Sequence, residues 1–403
     1  MDKSIMNSMK PCSGCGACAT ICPTESISYQ INEDGFYTPL VNSDKCTNCG
    51  LCKKVCYKFL KVEESGKLLK NGKLYSAQTN NDDTLKTCTS GGIAYELAKY
   101  GLENHYIISG VIYDYELNIA KTIIVDNTTL EQTKGSKYIQ AITGDCFKKI
   151  IEIAKDNKAS KFMIFATPCQ ILGIKKSFSE NKLNNELITI DLFCHGIPSY
   201  LVWNNYLDWL KKRHGINNLN NIVFRSKVNG WHDFTMKVTS VDKIYEKSSE
   251  YDLFYKAFFD NVLLNPSCNS CVVRKERSCA DIRLGDLWGK KYQDNKDGVS
   301  AVLSLSDIGE SIIKKLEEQG VIKIFDEENI IDCINNQSTR DYNNINFSAI
   351  NDLKHGSDIK KVMTKYRRKF PLKRKIKLKM KEITAYFPKK IRKKLRNWYR
   401  KKV

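Results

Sequence analysis

The chain has 403 residues, 42% of them hydrophobic and 27% charged, which is enough for two or three domains with a substantial core. Its net charge of +20 is concentrated at one end: Lys360 to Val403 carries 21 Lys and Arg against one acid, Glu382, and the remainder is balanced. No apolar run approaches a membrane span and Met1 to Lys10 has no apolar stretch of signal-peptide type, which argues against a membrane-spanning or secreted, disulfide-built class; a cytoplasmic location is expected.

Eight of the sixteen cysteines fall between residues 12 and 56, in two copies of one spacing. The first is Cys12-x2-Cys15-x2-Cys18-x3-Cys22-Pro23, and the second is Cys46-x2-Cys49-x2-Cys52-x3-Cys56-Tyr57. Three thiolates two residues apart can point at one cubane cluster, and the fourth must come from elsewhere; in two-cluster ferredoxin runs the last Cys of each run ligates the other cluster. That pairing assigns Cys12, Cys15, Cys18 and Cys56 to one 4Fe-4S cluster and Cys46, Cys49, Cys52 and Cys22 to the other. Zinc sites typically use two separated pairs, and disulfides of this density belong to short secreted chains, so neither competes well with a doubled run. Gly14, Gly16, Ala17 and Gly50 are expected to let backbone N–H groups approach the cluster sulfides, and Pro23 to end a short helix that the fourth Cys begins. In the second run Tyr57 stands where Pro is usual.

Lys58 to Leu74 is rich in Lys, Gly and Glu without apolar periodicity and reads as a linker. Thr89-Ser90-Gly91-Gly92 then precedes Ile93-Ala94-Tyr95-Glu96-Leu97-Ala98, apolar at helical spacing, with Ser90 as the expected cap. A helix N-terminus with free N–H groups suits phosphate, although an ordinary capped helix explains the same residues. Strand-like runs at Tyr106 to Tyr113 and Lys121 to Val125 lead to Lys134-Gly135-Ser136-Lys137-Tyr138, where two lysines beside a Gly-Ser turn suit either an anionic group or a solvated turn. Asp145 opens the next helix, with Phe147, Ile150, Ile151 and Ala154 on one side.

Phe162 to Ala166 is a continuous apolar run that stops at Thr167-Pro168-Cys169-Gln170, and Leu187 to Phe193 stops at Cys194-His195-Gly196. The helix-sized stretch between them predicts a parallel pair with both loops at one sheet edge, where ligands of open α/β sheets bind. Ser199 to His214 reads as a helix capped by Ser199 and closed by Gly215, which explains His214 as a C-terminal helix residue. Cys268-x2-Cys271-x7-Cys279 adds three thiols. A fourth ligand has to come from Cys88, Cys146, Cys169, Cys194 or Cys333, and Cys194 is preferred for its place on a sheet-edge loop. This set is expected to hold a further 4Fe-4S cluster, with zinc as the competitor.

Taken in order, the two ferredoxin runs, Ser90-Gly91-Gly92, Gly135-Ser136-Lys137-Tyr138, Thr167-Pro168-Cys169-Gln170, Asp191-Leu192-Phe193-Cys194-His195-Gly196, Cys268-x2-Cys271 and Asp281-Ile282-Arg283-Leu284-Gly285-Asp286-Leu287-Trp288-Gly289 resemble the beta-subunit family of coenzyme F-420 hydrogenase/dehydrogenase. The resemblance covers roughly Cys12 to Leu305, and Ala166 departs from it where the family usually has Gly. It implies an iron-sulfur flavoprotein oxidoreductase that relays single electrons through 4Fe-4S clusters to or from a flavin, FAD ahead of FMN, which reacts with a two-electron substrate. Together with the loops, it implies flavin phosphates near Ser90, Gly91 and Gly92 and a ring near Thr167, Pro168, Cys169 and Gln170, with Gly135, Ser136, Lys137 and Tyr138 covering the other side. Members include subunits that reduce the deazaflavin coenzyme, reductases of a chlorophyll precursor and bacterial proteins encoded among polysaccharide genes, so polysaccharide biosynthesis is one implied setting. His195 is the candidate proton donor, against the alternative of a loop histidine shaping the third metal site. A second reading is a non-catalytic electron-transfer subunit that docks on a partner enzyme.

The expected fold is α/β, α+β overall. It comprises a small ferredoxin-like two-cluster domain over 1–60, a linker over 61–75, a mixed-sheet α/β flavin-binding domain over 76–350 and a basic helical tail over 351–403. In the tail Leu372, Ile376, Met380, Ile383 and Phe387 recur at helical spacing, and Ile391, Leu395, Trp398 and Tyr399 follow Pro388. Such stripes suit an anionic membrane surface, and so a peripheral place at the inner face of the cell membrane, better than nucleic acid, which requires no periodic apolar face. A redox donor or acceptor protein such as ferredoxin and a small-molecule substrate are the other expected partners.

Overall fold

The computed structural model describes residues 11–336 and 347–367. Among these residues the body is built on a nine-stranded mixed sheet. From edge to edge its strands are Ile322–Glu328, Lys73–Thr79, Ser300–Ser304, Ile282–Asp286, Leu187–Leu192, Lys161–Phe165, Tyr106–Asp114, Ile119–Val125 and Ala141–Ile142. The four central strands, from Ile282–Asp286 to Tyr106–Asp114, run parallel, as the apolar runs flanking Thr167 require. Antiparallel pairs flank them on both sides.

Alternation along the Lys161–Phe165 strand decides the layers. Met163 packs with Ile108, Ile188, Ile190, Ile282 and Val302 beneath the helices Ile93–Glu103 and Asp307–Glu318. Its neighbours Phe162 and Ile164 face the other way, against Phe147, Ile150, Ile171 and Ile174 of the helices Cys146–Asp156 and Pro168–Glu180. This period-two switch produces a helix–sheet–helix sandwich. Each fully buried side chain of this kind contributes about 1.5–3 kcal/mol relative to an exposed one, so the layers outweigh any single polar contact described below.

A second layer was not legible in the sequence. A three-stranded antiparallel sheet of Asn221–Ser226, Thr235–Thr239 and Ile244–Ser248 packs with the helices Tyr200–His214 and Leu253–Phe259 around Trp203, Tyr206 and Phe254. The helices Phe347–Lys354 and Ile359–Tyr366 bury Ala349, Ile350, Leu353, Ile359, Val362 and Met363 in the same core. The folded body therefore continues well past residue 351. The apolar stripes expected from Leu372 to Tyr399 lie outside the described residues. The 61–75 stretch is also packed: Lys67–Leu68 pairs with Arg277–Ser278, and Leu69 is fully buried. No helix among the described residues is long and apolar enough to cross a membrane.

The cysteine-rich module carries a hairpin, Ile27–Ile31 with Tyr37–Val41, and two short helices, Ala17–Ile21 and Leu51–Lys54. Each helix starts after a left-handed glycine, Gly16 at φ 86° or Gly50 at φ 80°, and stops before the fourth Cys of its run. The expectation that the fourth Cys begins the helix is thus corrected, because the glycine's positive φ sets the start and Cys22 sits at the C-cap. Gly14 and Gly16 are also small for a docking reason. A Cβ on Gly14 would lie 2.2 Å from Gln140 Nε2 and from Tyr37 O, and one on Gly16 would lie 2.3 Å from Thr143 Oγ1. Gln140 staples the module to the body, donating to Ser13 O (3.1 Å) and accepting from Tyr37 N–H (3.0 Å). Asn265 Nδ2 donates to Cys12 O (2.8 Å), and Tyr200 N–H donates to Gly35 O (2.7 Å).

Candidate functional site

Cys22, Cys46, Cys49 and Cys52 line one small cavity inside the module. Next to it, Cys15 lies within electrostatic reach of Cys12 and Cys56, as does Cys18. Burial pushes the thiols of Cys12 and Cys56 up to about 11 and raises those of Cys15 and Cys18 well above the ordinary thiol value, and the like charges of their neighbours add to the rise. At Cys22 burial is outweighed by the hydroxyls of Ser26 and Thr24, which lower its thiol. Gly14 N–H donates to Cys12 Sγ (3.2 Å), and Tyr29 Oη lies 2.9 Å from Cys18 Sγ. Enclosed thiols of this kind fit an iron–sulfur cluster, since the bound irons supply the positive charge that burial alone denies a thiolate. Among the described residues no three His, Cys, Asp or Glu side chains already meet at metal-bonding geometry, so their grouping rests on enclosure and mutual charge.

The third set is positioned by a buried ion pair. Arg283, on the Ile282–Asp286 strand, grips Asp191 through two bonds, Nε to Oδ1 (2.7 Å) and Nη2 to Oδ2 (2.6 Å), with both side chains almost fully buried. Arg283 Nη2 also donates to Val273 O (2.8 Å), and Ser278 Oγ donates to Asp191 Oδ2 (2.7 Å). The pair therefore ties the strand that ends before Cys194 to the segment that carries Cys271 and Cys279. Cys194, Cys268 and Cys271 each feel the charge of Cys169, as do Cys12 and Cys15 of the module, and burial pushes Cys194 up to about 12 and Cys271 up to about 11. Groups acting on Cys279 include Lys175, Asp191, Arg283 and Lys176, and Cys279 packs against the same buried patch as Cys271 and Cys169. Of the other candidates, Cys146 is buried among Phe147 and Ile150, Cys333 packs with Leu69 and Trp231, and Cys88 lies near Lys134 and Lys227.

A cavity of about 380 Å³ opens at the C-terminal ends of the central parallel strands. It gathers the loops singled out in the sequence: Ser90 and Gly92, Gly135 to Tyr138, and Thr167, Cys169 and Gln170 all line it. Cys15 of the module and Cys194 and His195 of the Leu187–Leu192 strand end line it as well. Gly91 and Pro168 do not. Gly91 packs against the sheet, where a Cβ would meet Ala77 O at 2.3 Å, and Pro168 is the first residue of the Pro168–Glu180 helix. Thr167 and Gln170 form the capping box of that helix, with Thr167 N–H donating to Gln170 Oε1 (3.1 Å).

Two expectations for these loops change. Ser90 does not cap the Ile93–Glu103 helix; Gly92 does, at φ 82° and with no side-chain bond, so the helix N-terminus faces the cavity without a side-chain cap. Ser90 Oγ instead donates to Val299 O (2.9 Å), and Lys227 Nζ donates to Ser90 O (2.7 Å). The two lysines of the Gly-Ser turn are engaged internally rather than offered to an anion. Lys134 pairs with Glu131 at 2.8 Å, and Lys137, half-buried with its tip enclosed, donates to the carbonyls of Gln132 (2.9 Å), Thr133 (3.0 Å) and Lys134 (3.0 Å). Burial pushes the Lys137 ammonium down to about 7.

His195 Nε2 lies 2.7 Å from Asn261 Oδ1, and the main chain of Phe258 also hydrogen-bonds the ring. Burial lowers its pKa, and its ring packs on Phe258 at 4.7 Å. Sequence reasoning missed Asn261, and also the wall built on Asp286, which accepts from Arg225 (2.5 Å) and from Trp231 Nε1 (2.8 Å). The only signal for that wall was Asp286 itself, since its partners lie 55 and more residues away in a segment without a motif.

Two grouped cysteine sets on a two-run module, docked over a cavity at the strand ends of a mixed sheet, define an iron-sulfur electron-transfer protein. Residues 11–58 match the model of the 4Fe-4S dicluster domain, and residues 159–330 match that of the C terminus of the beta subunit of coenzyme F420 hydrogenase/dehydrogenase. The two matches, a dicluster domain followed by the C terminus of a coenzyme F420 hydrogenase/dehydrogenase beta subunit, agree in identity and order with the resemblance read from the sequence. No curated protein matches it at a significant level. Among solved structures, it is similar to a chain of the F420-reducing NiFe hydrogenase complex from Methanosarcina barkeri in xenon-derivatised form, at 16% identity and a TM-score of 0.43, over 76% of this chain and 94% of that one.

Proposed function

We propose that the protein is an oxidoreductase in which electrons pass between the cysteine-rich module and a flavin, FAD ahead of FMN, held in the 380 Å³ cavity. The observation that carries this reading is that one cavity is lined both by the loops suited to a flat anionic ligand and by Cys15, Cys169 and Cys194. A flavin supplies conversion between one-electron carriers and a two-electron substrate. The chain's own part is to place thiol sets beside that converter. Cys12, Cys15, Cys18 and Cys56 would hold one 4Fe-4S cluster, and Cys46, Cys49, Cys52 and Cys22 a second. Cys194, Cys268 and Cys271 would hold a third, for which Cys169 is the fourth ligand in preference to Cys279. The uncapped N-terminus of Ile93–Glu103 would meet phosphate oxygens with main-chain N–H groups, in place of the committed lysines. His195, which lines the cavity and whose pKa burial lowers, is the candidate proton donor.

A redox protein such as ferredoxin is the proposed donor or acceptor, and polysaccharide biosynthesis is one setting implied by the resemblance. The full chain, purified without oxygen, should carry stoichiometric flavin together with about twelve irons, four per cluster. Full cluster content with no flavin bound or reconstitutable would replace this reading with that of a non-catalytic electron-transfer subunit.

A further inference from the structure

Tyr57 follows the last cysteine of the second run, where the first run has Pro23. Its ring is 7% exposed and packs among Cys15, Val55, Cys169, Leu172 and Val273, with Cys271 and Cys279 against the same patch. Lys58 Nζ covers the ring at 5.3 Å and donates to Ser270 Oγ (3.3 Å), inside the Cys268–Cys271 turn, which fixes the ring relative to the third thiol set. The phenol oxygen is enclosed and has no hydrogen-bond partner among the described residues. The ionisable groups around it are the thiols of Cys271, Cys169, Cys268 and Cys15. A buried hydroxyl without an acceptor is rare and costly, and one surrounded by sulfur points to an acceptor that the protein chain alone does not provide.

We propose that Tyr57 donates its O–H to a sulfur of the cluster held by Cys169, Cys194, Cys268 and Cys271, as a positioning residue that raises that cluster's reduction potential. The proposal rests on the third-cluster reading above. Reduction adds negative charge to the cluster, and a donor aimed at a sulfur stabilises the reduced state more than the oxidised one. Proline at this position would have no O–H to give.

The test uses the full chain, purified anaerobically, with iron assay and a redox titration followed by electron paramagnetic resonance. Tyr57→Phe should keep wild-type iron and shift the midpoint of one cluster to lower potential, leaving the other two in place. Three unchanged midpoints at unchanged iron content overturn the proposal. About eight irons in the wild type would instead remove the third cluster itself, and this inference with it. If Tyr57→Phe loses iron, the wild type exchanged into heavy water decides by electron–nuclear double resonance: a strongly coupled exchangeable deuteron at the third cluster, also present in an iron-replete Tyr57→His variant that restores a ring donor, supports the bond, and its absence from the wild type overturns it.

Discussion

Lys137 donates to three main-chain carbonyls, and burial holds its ammonium near 7. In the unfolded chain a lysine titrates near ~10.4, so between about pH 7 and pH 10 the unfolded state binds the extra proton and stability rises with pH. Below that window both states are charged, and the cost of burial is constant. Relative to Lys137→Met, the wild-type unfolding free energy should therefore climb from pH 7 to pH 10 in denaturant melts; parallel profiles for the two proteins would contradict the assignment. Asp191 offers a second test at this scale. Its removal leaves the enclosed Arg283 guanidinium without its counter-charge, and breaking such a pair costs about 3–5 kcal/mol. Asp191→Asn should lower the thermal midpoint sharply, whereas exposed pairs such as Lys365–Asp352 should contribute under about 1 kcal/mol.

Among the elements, the two sheet-edge loops were readable because each ends an uninterrupted apolar run, and Thr167-Pro168-x-Gln170 spells a helix start. The Gly92 cap was not readable, because a left-handed φ competes with a side-chain cap and only the backbone reveals which one operates. The sheet of Asn221–Ser226, Thr235–Thr239 and Ile244–Ser248 escaped for another reason: its apolar face meets helices distant in the chain, so no local pattern announces it. The third thiol set shows the same limit. Spacing placed Cys268, Cys271 and Cys279 together, yet only the fold brings Cys169 beside Cys194 and Cys271. Cys169→Ser should lower iron from about twelve to about eight per chain, four irons being one cluster, while Cys279→Ser should keep it near twelve. The opposite pattern would return the fourth ligand to Cys279.

For the molecule as a whole, burial of Ile359, Val362 and Met363 decides where the tail can be cut. Ending the chain near Asp358 would strip a helix from the core, whereas ending it after Arg367 spares every described element and removes 17 Lys and Arg. Each such charge near an anionic leaflet is worth about 1 kcal/mol, so full-length protein should sediment with anionic vesicles and the shortened form should not. Equal sedimentation of the two would remove the membrane role and leave the redox reading intact.

The docking contacts also bear on how the protein is made. Cys12 O waits for Asn265, and the hairpin residues Glu33 and Asp34 wait for Lys354. At a synthesis rate of about 5–20 residues per second, Asn265 follows Cys12 by roughly 10–50 s. From the synthesis of Cys56 to that of Asn265, the thiols of Cys12, Cys15, Cys18 and Cys56 lack part of the surface that later buries them. Metal loading of that buried set thus has a natural window during translation, whereas Cys49 stays exposed in the folded chain.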